Sequence, residues 1–154
     1  MINLRKILVP VDYSACSRAA LEHAAMLAKS FNATIDLLYV WEAPAFIAPE
    51  AMVGAAGTTQ TLAQLASDQA QAAMREFVAQ ARTDGIQIAN TRVEQGDPSH
   101  TIVTVAERDG YDLVAMGTHG RSGFAHLLLG SVAEKVVRRS TRPVLTVRTG
   151  ESES

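Results

Sequence analysis

The feature that most constrains this chain is a glycine loop set between an apolar run and a helical pattern. Leu113-Val114-Ala115-Met116, with Asp112 before it and Gly117 after it, reads as a short buried strand. Gly117-Thr118-His119-Gly120-Arg121-Ser122-Gly123 follows, with too many glycines for regular structure and no proline. Glycines at that density let backbone amides approach a ligand closely. A second apolar stretch, Phe124 to Leu129, leads to Gly130-Ser131 and then to Val132, Val136 and Val137 at helical spacing, so Ser131 stands where a helix begins. Strand, glycine loop and Gly-Ser at a helix start gather amides, a hydroxyl and the positive end of a helix dipole around one point. That combination suits a phosphate chain.

The remaining segments supply the scaffold. Lys6 to Asp12 is a strand apolar on both faces, hence central in a parallel sheet, and Pro10 near its end is expected to stop further pairing. Ser14 can cap the helix marked by Ala20, Ala24, Leu27 and Phe31, which Asn32 ends. Thr34 to Trp41 is a second strand, and Glu42 to Thr61, rich in Ala, Pro and Gly without a clear period, reads as a mobile loop. Leu62, Ala66, Ala70, Ala73, Phe77 and Ala81 mark a long helix stopped by Asp84-Gly85. Ile86 to Glu94 reads as a less buried, edge-side strand. Asp97 caps the next helix, with Pro98 in its first position, Ile102, Val105 and Ala106 inward, and Gly110 at its end. Pro143 to Arg148 is the last strand, and Thr149 to Ser154 reads as a frayed tail.

Five strands alternating with four helices call for a parallel sheet with helices on both faces and right-handed crossovers. At 154 residues and 47% hydrophobic, the chain fits one domain, here residues 1–148, with no internal repeat. In such sheets ligands sit beyond the carboxyl ends of the strands, where the strand order reverses. If the first and fourth strands are neighbours there, Asp12 and Gly117 to Gly123 face one crevice.

Several partners and chemistries are disfavoured. A net charge of -2 demands no basic face, so nucleic acid is not expected as a partner, and Arg138, Arg139 and Arg142 read as a solvated helix end. The single Cys16 cannot form an intramolecular disulfide. No basic-then-apolar leader opens the chain and no apolar run approaches membrane-spanning length, so the expectation is a soluble cytoplasmic protein with no membrane contact. His23, His100 and His126 stand at no metal-binding spacing. The chain lacks a Walker A loop, a Gly-x-Gly-x-x-Gly after the first strand, paired carboxylates and a Ser-His-Asp set, which favours binding over turnover.

Gly117, two residues, Gly120, nine residues and then Gly130-Ser131, together with a first strand ending Val9-Pro10-Val11-Asp12, resembles the ATP-binding branch of the universal stress protein family. The resemblance runs from about Lys6 to Arg148. It implies a Rossmann-like or flavodoxin-like sheet in order 3-2-1-4-5, ATP bound with a divalent metal (Mg or Mn), and a homodimer. Carried onto this sequence, it sets Pro10, Val11 and Asp12 along the crevice floor, with Asp12 near the ribose, the phosphates or the metal. Val40 meets the adenine, Met116 and Gly117 flank the sugar, and Gly120 and Gly130 offer amides to the phosphates. Ser131 donates its hydroxyl and amide, Val132 continues the helix start, and His119 and Arg121 occupy positions whose side chains reach phosphate. Val144 to Val147 contains no charge that would block edge pairing, and the resemblance implies that it pairs antiparallel with its copy in the dimer.

The function implied is that of an ATP-binding regulatory protein of the stress response. Nucleotide would order the stretches Glu42 to Gly57 and Arg121 to Leu129 and so alter a surface for an unidentified protein partner. One alternative is a slow nucleotide hydrolase or adenylate-using enzyme on the same crevice. Another is a flavodoxin-like electron carrier, for which Tyr13-Ser14-Ala15-Cys16 is a poor phosphate loop.

Overall fold

The computed structural model describes residues 2–54, 59–119 and 129–149. Its elements in chain order are β1 (Lys6–Pro10), α1 (Ala15–Phe31), β2 (Thr34–Trp41), β3 (Met52–Val53), β4 (Gln60–Thr61) and α2 (Leu62–Thr83). β5 (Asn90–Gln95), α3 (Pro98–Arg108), β6 (Leu113–Gly117), α4 (Ser131–Arg139) and β7 (Val144–Val147) complete it. Five strands form one parallel sheet in the order β5-β2-β1-β6-β7. With the small β3-β4 pair set aside, this is the predicted order 3-2-1-4-5.

Strand alternation divides the core between two layers. Odd-numbered Ile7, Val9, Ile35 and Leu37 pack with Leu21 and Ala24 of α1 and Met74, Val78 and Ala81 of α2. Even-numbered Leu8, Leu38, Val114 and Met116 face Ile102, Val105 and Ala106 of α3 and Ala133 and Val136 of α4. Strands apolar on both faces thus gain a helical layer on each side, as a parallel sheet requires.

As expected, Pro10 is the last residue of β1 to pair, lying opposite Leu38, and a single further bond follows it, from the Val11 amide to the Leu38 carbonyl at 2.9 Å. Odd residues of β1 point their backbone groups at β2, so the missing Pro10 N–H falls on the β6 side. Pairing there is confined to Ile7 and Leu8. Two expectations are corrected. The stretch from Glu42 to Thr61 is not structureless: β3 and β4 pair antiparallel, and Thr61 opens α2 with a capping box. In that box the Gln64 amide donates to Thr61 Oγ1 at 3.1 Å and the Thr61 amide to Gln64 Oε1 at 3.0 Å. The strand expected from Ile86 begins at Asn90, because Ile86 and Ile88 are buried in the lead-in among the α1 and α2 side chains. Phe31, which continues the helical spacing of α1, is 49% exposed at its end.

Candidate functional site

A cavity of about 380 Å³ opens beyond the carboxyl ends of β1, β2 and β6, where the strand order reverses. Its floor is the end of β1 at Pro10, Val11 and Asp12. One wall comes from Leu38 to Val40 of β2 with Pro98 and Ile102 of α3, the other from Met116 to His119 and from Gly130 to Ala133 at the start of α4.

A tight turn aims Asp12. Its Oδ1 accepts the Ser14 amide at 2.9 Å, and Ser14 caps α1 by accepting the Ser17 amide at 3.2 Å. Between them Tyr13 adopts φ 65, a left-handed conformation costly for a residue with a bulky side chain. The Tyr13 ring lies 4.9 Å from that of Tyr39 and edge-on to Phe77 at 5.5 Å, and its hydroxyl donates to the Ala70 carbonyl at 3.3 Å. These contacts over-determine the turn and offset its strain. Asp12 Oδ2 has no hydrogen-bond partner among the described residues and lies on a lining residue of the cavity.

Val40 contributes through its backbone. Backbone groups alternate sides along a strand. The Leu38 carbonyl accepts from Val11 of β1, while the Trp41 carbonyl accepts from Gly96 beyond β5, so even positions of β2 face β1. β1 pairs no further than Pro10 opposite Leu38. The N–H and C=O of Val40 therefore extend past the end of β1, side by side, without a strand partner.

The far wall differs from its expected form in one respect. The Gly130 amide, expected to be available to a ligand, donates to the Thr118 carbonyl at 2.5 Å. Gly130 is the N-cap of α4, and no side chain of the described residues caps that helix. The amides of Ser131, Val132 and Ala133, in its first turn, are the ones left over, as at any uncapped helix start. Gly117 packs on the start of α1, where an added Cβ would lie 2.9 Å from the Cys16 carbonyl carbon and 2.9 Å from its Cβ. Burial pushes the Cys16 thiol up, but hydrogen bonds with the His119 and Thr149 backbone and the Thr149 and Thr118 hydroxyls outweigh it and leave its pKa lowered. Gly120 and Arg121, and the apolar run from Phe124 up to residue 128, lie outside the described residues.

The site thus combines a crevice at a strand-order reversal with an uncapped helix start and a strand end bearing unpaired backbone groups. The model of the universal stress protein family matches residues 3–148. The chain belongs to the universal stress protein family. Universal stress protein MJ0531 of Methanocaldococcus jannaschii is 34% identical to it over 149 residues, spanning 97% of this chain and 85% of the relative. Among solved structures, the universal stress protein UspA from Lactobacillus plantarum superposes with a TM-score of 0.74 at 27% identity, covering 95% of this chain and 99% of that one. A universal stress protein in complex with cAMP superposes with a TM-score of 0.69 at 26% identity, covering 96% and 99%.

In this universal stress protein the fold brings together Pro10, Val11, Asp12, Val40, Met116, Gly117, His119, Gly130, Ser131 and Val132 around the cavity. Sequence reasoning missed Ser17, Leu38, Tyr39, Thr118, Pro98, Ile102 and Ala133. Leu38 and Ile102 carry the apolar signal of the α3 layer, and Thr118 lies inside the glycine loop, where its spacing carries no signal of its own. The described lining includes no lysine or arginine, and Asp12 is its one acidic side chain. Among the described residues no three His, Cys, Asp or Glu side chains cluster as a metal site. A single carboxylate fits a divalent cation that arrives on phosphates, not one held by protein ligands alone. No helix of the described residues is long and apolar enough to cross a membrane.

Proposed function

We propose that this universal stress protein binds an adenine nucleotide, ATP with Mg²⁺ or Mn²⁺, in the crevice, and acts as a regulatory protein of the stress response. The observation that carries the reading is the paired N–H and C=O of Val40 beyond the end of β1. A neighbouring donor and acceptor match the N1 acceptor and N6 amino donor of adenine, whereas guanine presents the reverse order. Across the crevice the first-turn amides of α4 and the Ser131 hydroxyl face the phosphates, favoured by the helix dipole. Asp12 holds the metal, whose contribution when bound is to neutralise phosphate charge beside that carboxylate. Gly120 and Arg121, given phosphate contacts by the family resemblance, lie outside the described residues. That a universal stress protein of this fold was solved in complex with cAMP supports an adenine nucleotide as the ligand class. It also favours a second reading, in which a cyclic nucleotide is the ligand.

Bound nucleotide serves as a conformational signal or a structural ligand for a protein partner. The protein works in the cytoplasm as a homodimer joined through β7, whose outer edge pairs with nothing among the described residues.

Isothermal titration of the whole protein with ATP, GTP, cAMP and adenosine, with and without Mg²⁺, tests the reading. Saturable ATP binding is expected, with GTP weaker by roughly tenfold or more because two buried polar groups would be left mispaired. Equal affinity for ATP and GTP would remove the role given to Val40. Tighter binding of cAMP than of ATP would favour the second reading.

A further inference from the structure

Thr118 follows β6 directly, is 4% exposed, and has every polar group engaged. Its amide donates to the Val147 carbonyl at the end of β7 at 2.9 Å, and its carbonyl accepts the Gly130 amide at 2.5 Å. Its hydroxyl lies 2.9 Å from His119 Nδ1 and 3.9 Å from Cys16 Sγ at the start of α1. Thr118 follows the end of β6, and Gly130 is the N-cap from which α4 starts. The bond from the Gly130 amide to the Thr118 carbonyl therefore clasps the end of β6 to the start of α4. The clasp dictates glycine at 130, since a Cβ there would lie 2.9 Å from the Thr118 oxygen.

The two backbone bonds need only a residue other than proline. The hydroxyl is what threonine adds, and it acts on one wall alone: it fixes the imidazole of His119, which lines the cavity, and ties the turn to α1. Val40, across the crevice, belongs to β2 and shares no hydrogen bond with Thr118.

We infer that Thr118 is a positioning residue for the phosphate half of the crevice, its hydroxyl holding the His119 ring and the turn from which α4 starts, with no part in holding the base. This deepens the nucleotide reading above and rests on it. The test is titration of ATP and of adenosine into the wild type, Thr118→Val and Thr118→Ser, each checked by thermal melting. Valine keeps the shape and loses the hydroxyl, while serine keeps the hydroxyl. Expected for Thr118→Val is ATP binding weaker by roughly five- to tenfold, as for loss of one partly buried hydrogen bond and the order it imposes. Adenosine affinity should stay unchanged, and Thr118→Ser should restore ATP binding to within about twofold. Should valine prevent folding, Thr118→Ala carries the same expectations. Equal losses for ATP and adenosine, or no loss for either, overturn the positioning role while the nucleotide reading stands. A wild type that binds neither ligand overturns both.

Discussion

Replacing Gly130 by alanine should damage the clasp without straining the backbone. At φ -67 and ψ 165 the position admits any L-residue, so conformational freedom is not what glycine provides here. The harm is contact. The new Cβ would sit 2.9 Å from the Thr118 oxygen and 3.5 Å from His119 Cα, against an ordinary carbon-oxygen separation of about 3.3–3.6 Å. Because the neighbour is backbone, the turn must open by several tenths of an ångström, stretching the 2.5 Å bond from the Gly130 amide. Overpacking of this kind costs about 1–3 kcal/mol, and the stiffer unfolded chain returns about 0.4–1 kcal/mol. A net loss of about 1–2 kcal/mol corresponds to a fall in Tm of roughly 2–8 °C for a domain of this size. Scanning calorimetry reads the first effect and ATP titration the second. Displaced first-turn amides of α4 should weaken ATP by roughly tenfold, equivalent to about 1.4 kcal/mol. A Gly130→Ala protein that keeps both its Tm and its ATP affinity would refute the clasp.

Three other predictions follow from particular contacts. The Thr118 and Val114 amides donate to Val147 and Pro143, so the backbone groups of Val144 and Thr146 face outward; Thr146→Pro should convert a dimer to monomers in light scattering, and an unchanged mass would reject pairing through β7. Tyr111 donates to the buried Asp36 at 2.6 Å, and burial followed by that bond pushes its pKa up to about 12; Tyr111→Phe should lose about 1–3 kcal/mol in urea denaturation with ATP affinity intact, and a neutral result would mean that Asn90 suffices for Asp36. Asp109 is held at a pKa of about 2 by hydrogen bonds from Arg108 and then Arg92, below its unfolded value near 3.9. Its contribution is present above pH 4 and lost as pH falls through about 2, so Asp109→Asn should flatten the acid limb of stability between those values, and an unaltered limb would assign the acid sensitivity to other carboxylates.

Layering was legible because apolar periodicity is local: runs apolar on both faces had to be central strands, and the caps at Ser14 and Asp97 lay beside the patterns they begin. The crevice was legible through the glycine spacing and Asp12, which topology brings together from opposite ends of the sequence. What escaped depends on contacts without a sequence period. Tyr13 takes a left-handed turn only because Tyr39 and Phe77 pack its ring, and the β3-β4 pair rests on two residues from each strand. Gly130 read as a ligand contact because spacing cannot reveal that its amide is bonded to Thr118. Ile86 and Ile88 mimicked a strand by alternating, although their burial under the helices precedes the pairing.

The most direct measurement is an amide-resolved NMR titration of the whole protein with Mg²⁺-ATP. Binding in the crevice predicts saturating shifts at Val40, Gly117, Thr118, Ser131 and Val132, with Thr91 and Val93 at the far edge unmoved. Shifts concentrated instead along the groove between α2 and β5, beside Arg75 and Arg82, would place the nucleotide elsewhere and contradict the account.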